Sequence, residues 1–415
     1  MDTKHIVILG SGFGGIHVYR TLYRNLKRSD VRVTIVSDKD YFWFVPMAHE
    51  VATGNLTPSA LKQSLRHLPQ NERFNFREGT VEHIDADAKK VHSEEGDVFS
   101  YDYLIVALGA DTDYHNVDGA QEHTIPLRSL DEVRNVKNTI LSRFEAAEEV
   151  SNPQERHDLL HFVIVGGGPT GVELAGELAD MKDGALSRAY PECASYMSIS
   201  LFQGASRLVP QESEWISEKI QTILEKKGID VRTSQKVSRV DEKGVWSGEH
   251  FSLTRTAIWT AGVRARDIDI TAVRGIERGE KHRRIHVSEA LQVPEYRNLY
   301  VVGDQAFVER KDSSQPYPMR AQFAVRQGKT AARNIMHMIS GEEPEEFHWR
   351  DKGFLISLGK GDAVARVFGI ELTGRIAWFL YRTAYLPQVL GWRAKLRIMF
   401  EWTLNLFLPR DLSEI

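Results

Sequence analysis

The sequence predicts an α/β protein with two Rossmann-like dinucleotide-binding domains, followed by a C-terminal segment of amphipathic helices. Three observations support this fold class. A Gly-x-Gly-x-x-Gly turn follows a short apolar strand near the start of the chain, a second such turn follows another strand in the middle, and the chain ends in a stretch rich in aromatic and basic residues. Each glycine turn leads from a strand into a helix, which is an arrangement that binds a pyrophosphate.

The first glycine turn follows the apolar run Ile6 to Leu9 and consists of Gly10, Gly12 and Gly15. The first glycine permits the tight turn, the second lets a pyrophosphate approach the backbone, and the third allows close packing of helix on strand. Such turns also occur without ligands, so this turn alone is a weak signal.

The next strand is predicted from Val31 to Val36 and should end with a group that binds the adenosine ribose. Ser37 and Asp38 follow at about the expected distance of 20-odd residues from the turn. Asp38 is therefore the candidate for the contact to the ribose hydroxyl.

The second glycine turn follows the strand His161 to Val165 and consists of Gly166, Gly168 and Gly171. Two independent turns make coincidence a much weaker explanation, so two dinucleotide sites are predicted. The ribose-binding position of the second site falls at Gln203, which can accept a hydrogen bond from a 2′-hydroxyl without strongly repelling a 2′-phosphate. The choice between NADH and NADPH therefore stays open at this position.

Between and after the turns, the sequence predicts a series of further helices and strands. The predicted helices are Ser59 to Leu68, Ser129 to Val150 and Ala321 to Ile339. The predicted strands are Phe74 to Ile84 (as short strands), Lys89 to His92, Tyr103 to Leu108, Ile199 to Phe202, Val231 to Thr233, Ala257 to Ala261 and Leu299 to Val302. A polar connection is expected over Asp111 to Pro126.

The composition excludes several classes of protein. With 42% apolar and 27% charged residues and a net charge of −4, the chain resembles an ordinary globular protein and offers no basic stripe for nucleic acid. Cys193 is the only cysteine, which fits a reducing compartment and excludes electron transfer through a protein dithiol. The first strand begins by Ile6, so no secretion signal is expected, and no apolar run reaches the roughly 18 residues of a membrane-spanning helix. No metal site is predicted, because the histidines show no ligand spacing.

The C-terminal segment, from Gly369 onward, is divided by Pro387 and Gly391 into two predicted helices. In the second helix, the polar residues Arg393, Arg397, Glu401 and Asn405 recur every four positions, and apolar residues cover most of the remaining surface. Helices of this kind lie in the membrane interface, held by aromatic anchors and basic residues. An oligomer interface, or a hairpin packed on the body of the protein, is the alternative reading of the same residues.

Taken together, these motifs resemble the type II NADH dehydrogenases, single-subunit flavoproteins that transfer electrons from NADH to quinone. The resemblance covers essentially the whole chain. Besides the two glycine turns, it rests on FVPMAHEVATG (Phe44 to Gly54), LIVALGA ending at Ala110, WTAGV (Trp259 to Val263), LYVVGD ending at Asp304, and RAQFA (Arg320 to Ala324).

The resemblance implies a discontinuous FAD-binding domain with an inserted NAD(P)H-binding domain. The expected boundaries are residues 1–115 and 286–345 for the FAD domain, 116–285 for the NAD(P)H domain, and 346–415 for a domain that serves membrane association and dimerisation. It also implies noncovalent FAD, a membrane quinone as acceptor, a lipid surface as partner, a homodimer, and a peripheral position on the cytoplasmic face of the membrane in a respiratory chain.

The resemblance further assigns cofactor-binding residues. Pro46 and the start of the Ala321 helix would lie near the isoalloxazine ring, and Asp304 would bind the ribityl chain. The residues implied for FAD are Gly10, Gly12, Phe13, Gly14, Gly15, Ser37, Asp38, Pro46, Val81, Gly109, Gly303, Asp304 and Ala321, and those implied for NADH are Gly166, Gly168, Gly171, Glu173 and Gln203.

Two residues are predicted to take part in the reaction. Glu173 would lie near the nicotinamide, as a proton relay or to orient the amide, although helix capping is a simpler role. Gln322 belongs to the family's Ala-Gln-x-Ala-x-Gln quinone motif and can hold a quinone carbonyl without placing a charge there, and an N-cap or packing role is its alternative. The final glutamine of that motif is replaced by Arg326, which puts the head-group contact in doubt.

The expected chemistry is hydride transfer from NADH C4 to flavin N5 over about 3 to 3.5 Å, followed by transfer of two electrons to quinone. Two other functions stay open. One is a soluble flavoprotein reductase that serves a protein acceptor such as ferredoxin, and the other is a nucleotide-sensing flavoprotein. Lys352 and Cys193 are given no catalytic role.

Overall fold

The computed structural model describes residues 3–26, 30–310, 313–351 and 353–414, so Lys352 lies outside the described residues. The chain divides into two compact units. The first unit comprises Met1–Phe42, Gln63–Asp111 and Val263–Arg350, and the second comprises Trp43–Lys62, Thr112–Gly262 and Asp351–Ile415. The predicted domain boundaries after residues 115, 285 and 345 stay a prediction.

The first unit is built on a six-stranded sheet. Its strands lie in the order Gln292–Val293, Tyr296–Val301, Tyr103–Val106, Lys4–Leu9, Val31–Ser37 and Phe74–Glu78. All neighbours are parallel except the antiparallel edge pair. The central strand is buried from His5 to Leu9, as expected for a parallel strand covered on both faces. The predicted strand at the first glycine turn is thus confirmed.

Two helices and several smaller elements complete the first unit. The helices Phe13–Asn25 and Ala321–Ser340 pack so closely that a side chain at Gly328 would meet the carbonyl oxygen of Gly14 at 2.5 Å. A second sheet contains Asp269–Thr271, Val81–Asp85, Lys90–Ser93 and Val98–Ser100. Two small ladders pair Ile285–His286 with Ala306–Phe307 and Glu309–Arg310 with Ser313–Pro316. The 3₁₀ turns of this unit span Leu65–His67 and Gly303–Gln305.

The second unit contains a five-stranded parallel sheet. Its order is Thr124–Pro126, Thr256–Trp259, His161–Val165, Ser198–Phe202 and Asp230–Arg232. Two antiparallel sheets accompany it, one of Arg239–Asp241, Gly244–Ser247 and His250–Leu253, the other of Gly353–Ser357, Ala363–Val367 and Ile370–Thr373. The second predicted turn therefore also lies at the end of a central parallel strand.

The helices of the second unit include the two predicted C-terminal helices. They are Ala48–Ala52, Pro58–Leu61, Ala120–His123, Leu130–Glu148, Pro153–Leu160, Pro169–Met181, Ser187–Ala189, Glu214–Lys226, Gly374–Tyr385 and Trp392–Leu404, with a π-turn at Lys182–Leu186 and 3₁₀ turns at Val45–Met47, Ala194–Tyr196 and Leu386–Gln388. Short strands at Tyr41–Trp43, Lys62–Ser64, Ala110–Thr112 and Val263–Ala265 lie where the chain passes from one unit to the other.

The predicted long helix over Ser129 to Val150 is confirmed as Leu130–Glu148, and it begins with a complete capping box. The hydroxyl of Ser129 accepts from the backbone N–H of Glu132, and the Glu132 carboxylate accepts from the backbone N–H of Ser129. This reciprocal pair satisfies two N–H groups at the first turn of the helix.

Two predictions of secondary structure are wrong. The helix expected over Ser59 to Leu68 ends at Leu61, and the chain continues as the strand Lys62–Ser64 and a 3₁₀ turn. The leucines at positions 61, 65 and 68 imitate a helical period, whereas Leu61 and Leu65 are buried through different elements. The polar connection over Asp111 to Pro126 contains the short helix Ala120–His123 and the edge strand Thr124–Pro126.

Candidate functional site

The first glycine turn has the geometry that its three glycines predict. Gly10 has φ +93°, and a side chain there would overlap the carbonyl oxygen of Ala107. A side chain at Gly15 would overlap the carbonyl oxygen of Gly10. By contrast, a Cβ at Gly12 would have no atom of the described residues within 4 Å. The middle glycine thus leaves the open cradle that a pyrophosphate requires.

The helix that starts at Phe13 presents its N-terminus to this cradle. Gly12 is the N-cap residue and no side chain of the described residues caps the helix, so the positive end of the helix dipole faces the cradle and would attract an anion. Phe13 packs edge-on against Phe42 with ring centroids 5.0 Å apart, and Gly14 is buried against Val302. Gly14 and Gly15 therefore support the turn by packing, and the residues present fit the diphosphate of FAD.

The candidate ribose position is held by an arginine that the sequence did not reveal. Asp38 Oδ2 lies 3.2 Å from Arg266 Nη1, and the Nε of the same guanidinium lies 3.2 Å from Asp111. Ser37, the last residue of its strand, is buried and its hydroxyl lies 2.8 Å from that of Ser11 in the glycine turn. Ser37 thus supports the first glycine turn through this hydrogen bond, and Asp38 is the charged group at the end of the strand.

Gly109 and Gly303 both have left-handed backbone conformations, with φ +76° and +72°. The carbonyl of Gly109 accepts from the amide of Gln305 at 2.8 Å, and the N–H of Gly303 donates to Gln327 Oε1 at 2.7 Å. These two buried glutamines fix the two strand ends of the first unit where FAD residues are predicted.

The remaining predicted FAD residues of the first unit lie on well-defined elements. Asp304 is the middle residue of the 3₁₀ turn Gly303–Gln305 and attracts Arg284, whose pKa burial lowers to about 10. Ala321 is the first residue of its helix, and Val81 is the first residue of a strand in the small sheet.

Gln322 follows Ala321 in the first turn of that helix. Arg320 occupies the N-cap position, and the Gln322 amide forms no hydrogen bond with the described residues. The alternative of an N-cap role for Gln322 is therefore not supported. Arg326, which replaces the last glutamine of the motif, lies one turn on with its guanidinium 4.6 Å from the ring centroid of Trp349.

The second glycine turn repeats the first. Gly166 has φ +115° and is pressed against the backbone of Ala261, and a side chain at Gly171 would overlap the carbonyl oxygen of Gly166. A Cβ at Gly168 would have no described atom within 4 Å, and no side chain of the described part caps the helix that begins at Pro169. The second turn thus also fits a pyrophosphate.

Gln203 lies directly after the strand Ser198–Phe202, at the predicted ribose position. Its side-chain amide donates to the carbonyl of Arg207 at 3.2 Å. The Arg207 guanidinium is already bound, donating to Glu212 O, Ser217 Oγ and Pro210 O at 2.7–2.9 Å. The nearby arginine therefore holds the loop together and is not free to bind a 2′-phosphate.

Glu173, the candidate near the nicotinamide, belongs to a buried cluster of charged residues in the second unit. Its carboxyl group accepts from the backbone N–H of Ser357 at 3.4 Å and lies 3.6 Å from His49 Nδ1. Burial raises the pKa of Glu173 well above its usual value and lowers that of His49 to about 3. Burial therefore favours the protonated form of Glu173, and His49 is neutral at neutral pH.

Glu50 lies in the same cluster, and the sequence did not single it out. Its Oε2 accepts from Trp402 Nε1 at 2.7 Å and from Asn55 Nδ2 at 2.8 Å. Burial, followed by the charge of Glu177, raises the pKa of Glu50 to about 7. A carboxyl group that titrates near neutrality can exchange protons under physiological conditions.

Three further residues of the cluster were missed. Arg410 Nη2 lies 2.6 Å from Glu177 Oε2, Tyr381 is completely buried beside Glu173, and Arg382 lies near both Glu50 and Glu177. The i, i+4 spacing of Glu173 and Glu177 on one apolar helix was the available sequence signal. The arginines come from the C-terminal segment, more than 200 residues away, and carried no local signal.

Pro46 belongs to the second unit, in the 3₁₀ turn Val45–Met47. The loop around it is buried, and the ring of its neighbour Phe44 packs edge-on against Tyr385 with centroids 6.5 Å apart. The contact of Pro46 with the isoalloxazine stays a prediction, as do the roles of the other predicted site residues.

Neither a metal cluster nor a membrane-spanning helix is found among the described residues. No three potential ligands among them are grouped so that they could hold a metal ion. Within the same part of the chain, no helix combines the length and apolarity that crossing a bilayer requires.

Comparison with known proteins agrees with this architecture. Residues 4–328 match the model of the pyridine nucleotide-disulphide oxidoreductase family. A type II NADH:quinone oxidoreductase (Ndh) of Mycobacterium tuberculosis is 31% identical over 420 residues, covering 98% of this chain and 88% of the relative. One of Staphylococcus aureus is 28% identical, covering 96% of both chains.

Solved structures share the fold. The NDH2 of Plasmodium falciparum in complex with NADH superposes with a TM-score of 0.91 at 20% identity, covering 99% of this chain and 100% of the other. The sulfide:quinone oxidoreductase of Aquifex aeolicus gives a TM-score of 0.76 at 19% identity, covering 99% of this chain and 98% of the other. The α/β class predicted from the two glycine turns is thereby confirmed.

The fold and the family model define a pyridine nucleotide-dependent flavoprotein class. The chain belongs to the pyridine nucleotide-disulphide oxidoreductase family and, within it, to the type II NADH:quinone oxidoreductases. The family predicted from the sequence motifs is confirmed.

Proposed function

We propose that the protein is a peripheral membrane NADH:quinone oxidoreductase that uses noncovalent FAD. The observation that carries the proposal is the pair of glycine turns. In each turn, the outer glycines are pressed against backbone. The middle glycine, Gly12 or Gly168, has no atom of the described residues where its Cβ would be, and no side chain of this part of the chain caps the helix that follows. Bound FAD would supply the chemistry that accepts a hydride and passes on electrons.

The residues of the chain would bind and orient the two cofactors. Gly12 and the N-terminus of the Phe13 helix would hold the FAD diphosphate, with Asp38 and Asp304 near its ribose and ribityl hydroxyls. Gly168 and the Pro169 helix would hold the NADH diphosphate. Since Arg207 is fully engaged with the loop and Gln203 carries no charge, NADH is the preferred donor in this proposal and NADPH a poor one.

Quinone reduction also requires proton uptake, for which the chain offers neutral and protonated groups. The free amide of Gln322 would hold a quinone carbonyl. Burial favours the protonated form of Glu173, so in that form it would hold or donate a proton near the nicotinamide without adding a charge.

The C-terminal helices support the proposed membrane association. Glu401 accepts from the Thr57 backbone and Asn405 donates to Asn55, so these polar residues face the body of the second unit. Apolar residues of the same segment are exposed, including Phe379 (69%), Trp392 (68%), Phe400 (64%) and Phe407 (80%). A helix pair that presents its aromatic side outward fits insertion into a lipid interface.

The location and oligomeric state complete the proposal. The single buried thiol of Cys193 suits a reducing compartment, so we assign the cytoplasmic face of the membrane. The homodimer rests on the family resemblance, and light scattering of the detergent-solubilised protein would test it.

The proposed activity is tested by anaerobic titration of the purified protein. We expect flavin absorbance, rapid bleaching by NADH, slow bleaching by NADPH, and recovery on addition of a quinone. A protein without flavin contradicts the proposal. Bleaching over minutes would instead support a nucleotide sensor, and recovery with ferredoxin but not quinone would support a soluble reductase.

A further inference from the structure

The C-terminal segment reaches the buried carboxyl groups of the second unit from two points. Trp402, in the last helix, donates its indole N–H to Glu50 at 2.7 Å. Arg410, in the tail that follows, is 2.6 Å from Glu177 Oε2 and donates to the backbone carbonyl of the same residue at 3.1 Å. Both side chains are buried, so these bonds are largely shielded from water.

The tail is held firmly in this position. Lys360 Nζ donates to the carbonyls of Asn405 and Leu406, at 3.3 and 3.2 Å. Gly54 has φ +70°, and a side chain there would overlap the carbonyl oxygen of Asp411, so the tail fits only against a glycine. Arg410 is thereby placed between Glu177 and Asp180.

A small polar cavity, with about 20 Å³ of space for the centre of a water molecule, adjoins the same residues. Its lining includes Asn55, Glu177, Lys360, Arg382, Trp402 and Arg410. A cavity lined by charged and amide groups can hold water. Glu50 does not itself line the cavity, but Asn55 and Trp402, which both donate to its carboxyl group, do, so this water lies one side chain away from Glu50.

Titratable and charged side chains face Glu50 from every element packed around it. They are the neutral His49 on its own helix, Glu173 and Glu177 on the helix Pro169–Met181, Tyr381 and Arg382 on the helix Gly374–Tyr385, and Arg410 on the tail. Burial and Glu177 favour the protonated carboxyl, whereas Arg382, the indole of Trp402 and Arg410 favour the carboxylate. The three groups that favour the carboxylate all belong to the C-terminal segment.

We propose that the C-terminal segment positions Glu50 as a proton-exchanging group, with Trp402 holding its carboxyl and Arg410 balancing its charge. Glu50 releases one of the two protons that the reduced quinone consumes, becomes a carboxylate, and regains a proton from bulk water by way of the polar cavity. The inference rests on the proposed function, because the reduction of a quinone by two electrons consumes two protons. The electrons come from NADH through the established redox activity, so this step moves protons alone. Arg410 and Trp402 are positioning residues here.

The test compares pH profiles of flavin reoxidation by a water-soluble quinone. In the wild type we expect the rate to fall as pH rises through about 7, where Glu50 loses its proton. Arg410→Gln removes a positive charge, so the fall moves upward by roughly one pH unit. Trp402→Phe moves it in the same direction. Arg410→Lys retains the charge and stays close to the wild type, and Arg188→Gln, at an exposed arginine of the same unit, leaves the profile unchanged.

A double-mutant cycle separates positioning from a general loss of structure. Glu50→Gln removes the ionisation, so adding Arg410→Gln to it should produce no further shift of the profile. A shift that persists in the Glu50→Gln background overturns the proposal, as does an Arg410→Gln profile identical to that of the wild type.

Infrared difference spectroscopy of the holoenzyme gives a readout that needs no quinone. The absorption of a protonated carboxyl group, absent in Glu50→Gln, should titrate near neutral pH in the wild type and at higher pH in Arg410→Gln. If the wild type reduces no quinone at any pH, the proposed function fails. If it reduces quinone but this carboxyl signal does not move with Arg410, the present inference fails alone.

Discussion

The side-chain oxygen of Gln327 accepts a hydrogen bond of 2.7 Å from the backbone N–H of Gly303, 24 residues earlier in the chain. Gly303 has a left-handed conformation and precedes Asp304, the predicted ribityl contact. The bond therefore ties the helix Ala321–Ser340 to the strand end that would hold FAD.

Gln327→Leu removes this acceptor and leaves the N–H of Gly303 without a partner. Such a buried unsatisfied donor costs about 1–3 kcal/mol, so we expect a lower free energy of unfolding and a lower flavin content. Urea unfolding and the ratio of flavin to protein absorbance measure the two effects. Gln154→Leu, at an exposed helix position, is the control. Full flavin content in Gln327→Leu would show that the bond does not support the site.

Gly12→Ala and Gly15→Ala should fail in different ways. The Cβ at Gly12 meets no described atom, so this variant should fold with nearly unchanged stability but lose FAD, because the methyl group occupies the approach of the pyrophosphate. The Cβ at Gly15 overlaps the carbonyl of Gly10, so that variant should be destabilised by about 2 kcal/mol or more even without FAD. Thermal unfolding of the flavin-free proteins distinguishes them, and equal losses of stability would contradict the assigned roles.

Gln203→Glu should raise the preference for NADH over NADPH. A carboxylate at the end of its strand accepts from the ribose 2′-hydroxyl and repels a 2′-phosphate, so we expect a change of about tenfold or more in the ratio of the two kcat/KM values. Glu225→Gln, an exposed charge change on the same unit, is the control. An unchanged ratio would mean that Gln203 does not contact the ribose.

The raised pKa of Glu50 makes stability depend on pH. Between the unfolded value of 4.5 and the folded value of about 7, the unfolded chain loses its proton while the folded protein keeps it, so stability falls as pH rises through this window. The full cost is on the order of 3 kcal/mol above pH 7. Glu50→Gln should therefore gain stability relative to the wild type at pH 8 but not at pH 4. Thermal unfolding at both pH values checks this, and an equal difference at the two would refute it.

Exposed aromatic residues of the last helix, Trp392–Leu404, and of the turn that follows it should drive lipid binding. We expect Phe400→Ser and Phe407→Ser each to weaken binding to anionic vesicles by about tenfold, since each removes most of a buried aromatic contribution of about 1.5–3 kcal/mol. Stability in solution should hardly change, because both rings are exposed. Phe251→Ser, at an exposed strand position, is the control in vesicle sedimentation. Undiminished binding by both variants would favour the alternative of an interface between proteins.

The local features of this fold were predictable from the sequence. A strand, a glycine turn and a helix lie next to one another in the chain, so the spacing at Gly10 and Gly166 was sufficient to place both turns. The capping box at Ser129 defined the start of its helix in the same way. The helical spacing of the leucines near Leu61 led to the wrong prediction of a helix, because three short elements, and not one helix, carry these leucines.

The buried cluster could not be predicted, because its members meet only after folding. Trp402 and Glu50 are 352 residues apart, and neither belongs to a local pattern that indicates the other. In the sequence, Glu401 and Asn405 are recognisable only as part of a polar stripe, whereas in the structure both residues bond to the loop at Asn55 and Thr57. Arg266 was missed for the same reason, since its two aspartate partners, Asp38 and Asp111, are more than 150 residues away in the chain.

The burial of Cys193 has a practical consequence for spectroscopy. Its side chain is 1% exposed, and burial raises the pKa of the thiol, so it should react slowly with alkylating labels. Phe407→Cys would then introduce the one readily labelled thiol among the described residues, with no need to remove a native cysteine. A nitroxide attached there could report, by its accessibility to oxygen, how deeply the last helix enters a bilayer.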